Sequence, residues 1–232
     1  MTTGPDGHRL GRLSARPGTP TAEPLRPGTS VLDAEGARDG LLVMPADLPD
    51  APLPLVVYLH GAGGHPMRDV ALLEREAARD GFLLLAPKSR AGTWDAIRGV
   101  LGPDVRALDR LLTVVFARWP VDPERIALAG FSDGASYALT VGLANGDLFR
   151  RVLAYSPGFI PPAPREGTPR VFVSHGTRDR VLPIARCSRV IVPALRGEGY
   201  DVEYVEFDGE HTVPASAVAT SLAFLSPRPD HD

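Results

Sequence analysis

The sequence predicts an α/β protein: a mainly parallel central sheet with helices on both faces. Two observations carry that expectation. Short apolar runs alternate along the chain with longer stretches whose apolar residues recur at helical spacing. Several of those runs, Leu55–His60 and Phe82–Ala86 among them, are apolar on consecutive residues, as in strands covered on both faces. At 232 residues and 44% hydrophobic content the chain is long enough for one substantial core, so a single domain over 1–232 is expected.

The elements follow in order. Residues 1–30 are rich in Gly, Pro, Thr and Arg and are expected to form an extended arm, with an edge strand one option for the alternating piece Arg9–Ala15. Gly40–Met44 reads as a short strand and the proline-rich Pro45–Pro54 as a surface loop. After the strand Leu55–His60 and the turn Gly61-Ala62-Gly63-Gly64 comes a helix, Asp69–Asp80, stopped by Gly81. Phe82–Ala86 is a strand, Asp104–Trp119 a helix and Ile126–Gly130 a strand. Ser132–Ala144 reads as a helix, and Val152–Ser156 and Val171–Ser174 as strands. Ile184–Arg196 reads as a helix kinked or broken near Pro193, Val202–Phe207 as a strand and Pro214–Leu225 as a last helix. Right-handed crossovers would place the strand-to-helix loops along one edge of the sheet, where ligands bind. The absence of a cap-sized insertion between Ser156 and Arg170 points to an open cleft.

Composition excludes several functions. A net charge of −3 without a basic run argues against a nucleic-acid partner. The single cysteine, Cys187, leaves no internal disulfide and no cysteine metal site. No apolar run is long enough to span a bilayer, and Met1–Leu13 lacks the apolar core of a secretion signal, so the cytoplasm is the expected compartment. No cofactor is expected. The dinucleotide and P-loop fingerprints are missing, and His60, His65, His175 and His211 lie on separate loops without metal-ligand spacing.

Four of the loops carry chemistry. Gly130-Phe131-Ser132-Asp133-Gly134 lies between a strand and a helix, where G-x-S-x-G forces a sharp turn with the serine hydroxyl at its apex. Upstream, Gly61–Gly64 can aim backbone N–H groups at an anion. Asp179 follows one downstream strand and His211 the next. Each feature has an ordinary explanation in isolation, as a turn residue, a cap or a glycine turn. Their order, serine then acid then histidine on successive strand ends, is that of the α/β-hydrolase fold. Asp208, Glu206 and Glu210 are rival acids near His211, but only Asp179 sits on the loop after the preceding strand.

Leu59–Gly64, Gly130–Ala135, His175–Pro183 and Asp208–Pro214 resemble the serine esterases of the phospholipase/carboxylesterase group. That group includes relatives similar to polyhydroxyalkanoate depolymerases and feruloyl esterases. The likeness runs from about Gly40 to Leu225. It implies a nucleophile at Ser132, an acid at Asp179 and a base at His211. It also implies oxyanion donors at the backbone N–H of Asp133 and of Ala62, with Gly63 the alternate to Ala62. The expected activity is therefore hydrolysis of carboxylic esters through an acyl-enzyme. Short or medium acyl chains or bulky esters would enter an open cleft walled by Trp94, Phe159, Ile160 and Leu182. A small-molecule ester is the expected partner, and a homodimer is one option for assembly. Prolyl-peptidase-like amide hydrolysis, polyester or feruloyl ester cleavage, and a non-catalytic binding role are the competing readings.

Overall fold

The protein, seen in a computed structural model, is described over residues 5–33, 38–46 and 51–225. The first four residues of the expected arm and residues 47–50 of the expected loop Pro45–Pro54 lie outside them. Eight strands form one sheet: β1 (Gly28–Asp33), β2 (Arg38–Met44), β3 (Leu53–Leu59), β4 (Leu83–Pro87), β5 (Val121–Phe131), β6 (Arg151–Tyr155), β7 (Arg170–Gly176) and β8 (Val202–Phe207). Their spatial order is β1-β2-β4-β3-β5-β6-β7-β8. β2 pairs antiparallel with both neighbours, and every later pair is parallel.

Among the described residues six α-helices accompany the sheet: α1 (Pro5–Arg9), α2 (Pro66–Asp80), α3 (Pro103–Arg118), α4 (Asp133–Ala144), α5 (Ser188–Gly197) and α6 (Ala215–Ala223). Alternation along each strand divides the core in two. Leu55, Val57 and Leu59 point to the face covered by α3, α4 and α5, while Val56 and Tyr58 point to the face covered by α2 and α6. This is why the central strands read as continuous apolar runs. Each fully buried Leu, Val or Phe contributes about 1.5–3 kcal/mol, so together these layers dominate the stability. No helix among the described residues is long and apolar enough to cross a membrane.

Two expectations are corrected. The alternating piece Arg9–Ala15 is not a strand; the edge strand is Gly28–Asp33. Pro5–Arg9 is helical, and the extended segment after it is fastened to the protein by polar side chains from α3 and by Asn145 after α4. Asp109 accepts from the N–H groups of Ser14 and Ala15, and Asn145 both accepts from Leu13 N–H and donates to Gly11 O. That grip buries Leu13 and Ala15 in the core. The second correction concerns the expected helix Ile184–Arg196. It breaks at Cys187, where ψ is −103°, between a 3-10 turn (Ile184–Arg186) and α5, and Pro193 lies inside α5.

Because β3, β5, β6, β7 and β8 run parallel, their C-terminal ends share one edge. The loops carrying Ala62, Ser132, Asp179 and His211 all leave from it.

Candidate active site

Ser132 occupies the turn from β5 into α4 with φ of 57°, a conformation that side chains rarely adopt. The flanking glycines explain how the turn closes. A Cβ on Gly130 would run into the Gly134 carbonyl, and one on Gly134 into the Leu59 carbonyl. The Ser132 N–H is held by Tyr155 O at 2.9 Å, which ties the turn to the end of β6.

Three side chains that the sequence placed on separate loops meet here. His211 Nε2 lies 2.9 Å from Ser132 Oγ, and His211 Nδ1 lies 2.6 Å from Asp179 Oδ2. A carboxylate oxygen only accepts, so Nδ1 carries the proton and Nε2 is left to accept from the serine hydroxyl. Phe131 packs against the imidazole with ring centroids 4.7 Å apart. Two of the rival acids are engaged elsewhere: Asp208, 77% exposed in its side chain, pairs with Arg178, and Glu206 pairs with Arg189.

Asp179 is fully buried in its side chain and surrounded by donors. The N–H groups of Val181 and Leu182 reach Oδ1 at 2.9 and 2.8 Å. Burial works to raise its pKa, but the Leu182 and Val181 N–H groups and His211 outweigh it and hold the carboxyl below its ordinary range. A second histidine also faces Oδ2: His175 Nε2 lies 3.2 Å from it and 2.8 Å from Leu182 O, while Nδ1 accepts from Ser188 Oγ at 2.6 Å. Burial lowers the His175 pKa, so this ring is a neutral N–H donor. His175 opens the stretch His175–Pro183 that carries part of the family resemblance, which assigns it no task.

The backbone donors sort themselves. Gly63 N–H is spent on Gly92 O at 2.7 Å, whereas the Ala62 N–H has no backbone acceptor among the described residues. Gly61 lies against Ser132, where a Cβ would be 3.3 Å from the serine Cβ. Asp133 is the first residue of α4, so its N–H lacks an intrahelical partner.

The expected cleft walls divide. Phe159 is 48% exposed, and Leu182 and Ile160 are half-buried. The loop holding Phe159 is tied to α4 by Ser136 Oγ, which accepts from Gly158 N–H at 3.0 Å. Trp94 is no cleft wall: it is 1% exposed, stacks on Tyr137 at 5.0 Å and donates Nε1–H to His60 O at 2.8 Å. An aromatic with its one polar atom satisfied belongs in the core. A cavity of about 460 Å³ lies at the opposite sheet edge, beside Pro54, Phe82 and Leu222, far from this chemistry. Among the described residues no group of three or more His, Cys, Asp or Glu side chains is arranged to hold a metal ion.

The strand order, the elbow after β5, and the acid and histidine after β7 and β8 define an α/β-hydrolase. Within that class, the chain belongs to the phospholipase/carboxylesterase family, whose model matches residues 105–226. It is 31% identical over 97 residues to acyl-protein thioesterase 1 of Gibberella zeae, a match covering 38% of this chain and 40% of that protein. Two solved structures are similar in fold. Esterase PE8 has a TM-score of 0.67 at 23% identity, over 81% of this chain and 97% of its own. The Bacillus cereus carboxylesterase has a TM-score of 0.63 at 16% identity, over 80% and 92%.

Proposed function

We propose that this protein hydrolyses carboxylic esters through an acyl-enzyme on Ser132, with Asp179 and His211 completing the triad. The observation that carries the reading is the unbroken series from Asp179 Oδ2 through both His211 nitrogens to Ser132 Oγ, with contacts of 2.6 and 2.9 Å. His211 Nε2 takes the hydroxyl proton as Oγ attacks the ester carbonyl, and Asp179 stabilises the imidazolium that results. The oxyanion is met by the N–H groups of Ala62 and Asp133, each worth about 3 kcal/mol in the transition state. Collapse expels the alcohol with the proton from His211. A water, deprotonated by the same nitrogen, then attacks the acyl-serine and the acid leaves.

Short to medium acyl chains or bulky esters suit the site, because Phe159 and Leu182 offer apolar surface in the absence of a cap insertion over Pro157–Pro169. A second reading, hydrolysis of thioesters, is favoured by the match to the thioesterase and uses the same residues. The test is a panel of p-nitrophenyl esters from acetate to palmitate, with an S-acyl analogue and a p-nitroanilide control, alongside fluorophosphonate labelling. Ser132→Ala is expected to lose both turnover and labelling. Full activity in that variant would overturn the assignment.

A further inference from the structure

We propose that the tripeptide Gly92–Trp94 is the positioning element of the oxyanion hole and that Thr93 is its key residue; this rests on the esterase reading above. The two donors of that hole, Ala62 N–H and Asp133 N–H, come from different elements, the loop after β3 and the start of α4. An oxyanion hole works only if its donors are preorganised. Close backbone packing of Gly134 on β3 sets the elbow's position. Direction is set by side chains and loop carbonyls, and here three consecutive residues supply it. Gly92 O accepts from Gly63 N–H at 2.7 Å, fixing the residue next to Ala62. Trp94 Nε1–H donates to His60 O at 2.8 Å, fixing the other flank of the same loop. Thr93 Oγ1–H donates to Asp133 Oδ2 at 2.6 Å, reaching the second donor's own residue.

The Thr93 contact answers a problem posed by the sequence itself. Residue 133 places a carboxylate beside the nucleophile, where negative charge builds up during attack. A free Asp133 side chain would lean towards its own N–H or towards the oxyanion, competing for the first and repelling the second. A hydroxyl donor that holds Oδ2 prevents both.

The tripeptide is itself anchored. Trp94 lies between Tyr137 and His60, with ring centroids 5.0 and 4.8 Å away. Ser89 N–H donates to His60 Nε2 at 3.1 Å before it. After it, Asp95 and Asp104 each accept the other's backbone N–H at 2.7 Å. The loop is therefore closed on both sides and tied to the donor loop.

The experiment compares Thr93→Val with Thr93→Ser. On p-nitrophenyl butyrate, Thr93→Val is expected to lower kcat about tenfold with KM within twofold, a fraction of the loss when a donor is removed outright. A trifluoromethyl ketone, whose hemiketal oxygen mimics the oxyanion, should lose affinity in the same proportion, and Thr93→Ser should restore both. A double-mutant cycle covers the case where Thr93→Val melts early: in Asp133→Ala, which keeps the backbone N–H, adding Thr93→Val should change kcat no further. Unchanged kcat and ketone affinity in Thr93→Val, or additive losses in the cycle, would overturn the proposal. Fluorophosphonate labelling of Ser132 in the unaltered protein is measured alongside. Its absence would count against the esterase reading, independently of Thr93.

Discussion

Two Asp-His-Ser arrangements in this molecule, the triad and the cluster under the N-terminal arm, are wired differently. At the sheet edge, Asp179, His211 and Ser132 stand in series: the acid meets the histidine, and the histidine meets the serine. Under the N-terminal arm, Asp109 is a hub: His8 Nε2 lies 2.9 Å and Ser14 Oγ 2.5 Å from the same carboxylate oxygen, and the N–H groups of Ser14 and Ala15 reach the other. Among the described residues no hydrogen bond links His8 to Ser14, and no glycine turn presents the serine. Composition is thus a poor guide to chemistry; connectivity decides. The series arrangement leaves His211 Nε2 basic and aimed at a hydroxyl. The hub consumes every donor to fasten a segment.

The largest expected effect tests that contrast directly. Asp179→Asn should lower kcat by about 10⁴-fold, since an amide facing His211 favours the wrong tautomer, and should cost stability too, because buried N–H groups face that carboxylate. Asp109→Asn should cost stability alone. It removes one acceptor among several buried donors, at a cost of about 1–3 kcal/mol in stability, with kcat unchanged well below the melting temperature. Ester hydrolysis and thermal melts of both variants measure the pair. A large kcat loss in Asp109→Asn would erase the distinction.

The series was legible in the sequence and the hub was not, for a physical reason. Strand and helix periods are local, and the α/β-hydrolase order of Ser132, Asp179 and His211 depends only on which loop follows which strand. Asp109, by contrast, works through partners 94 to 101 residues away. No local period marks a segment such as 10–27 as docked, and its Gly, Pro and Arg content reads as solvated. Trp94 failed for a related reason: a tryptophan near a site reads equally as wall or core until His60 O supplies its acceptor. The break at Cys187 was misplaced because Pro193 is the more obvious breaker.

A third acidic cluster sharpens the comparison through pH. Asp179 and Asp109 meet donors and end below the ordinary carboxyl range, although burial works the other way. Asp104 faces Asp95, and burial first, then that neighbour, pushes it up to about 6 against backbone donors that lower it. Between pH 3.8 and about 6 the folded state then binds more protons at Asp104 than the unfolded chain, so this group's contribution to stability falls as pH rises. The full swing is about 3 kcal/mol. In Asp104→Asn that falling limb should vanish, so the variant gains on the parent between pH 4 and 7 whatever its baseline. Melting curves across that range would show the difference; a constant gap would mean Asp104 is ionised throughout.

His175 lies between the two kinds of wiring, since it is buried against Oδ2 of Asp179, the acid of the proposed triad, and is held by Leu182 O and Ser188. His175→Phe removes the polar ring edge that faces Asp179. It should lower kcat about tenfold with KM unchanged, as expected when a catalytic group is slightly misplaced. A drop in melting temperature with kcat unchanged would make His175 a packing residue only.

The smallest effect separates two anchors within the arm itself. Arg12 and Arg16 both reach Asp147, at 3.0 and 2.5 Å, but these side chains are 24 to 37% exposed. Water already solvates such charges, so each pair contributes about 0.5 kcal/mol and less in salt. Arg16→Ala should therefore shift the melting temperature by no more than a few degrees, with the shift fading at about 0.5 M salt. Asp109→Asn should be far less sensitive to salt, because its donors are buried with it. If Arg16→Ala proved as costly as Asp109→Asn, the arm would be held by its surface charges and the buried hub would be incidental.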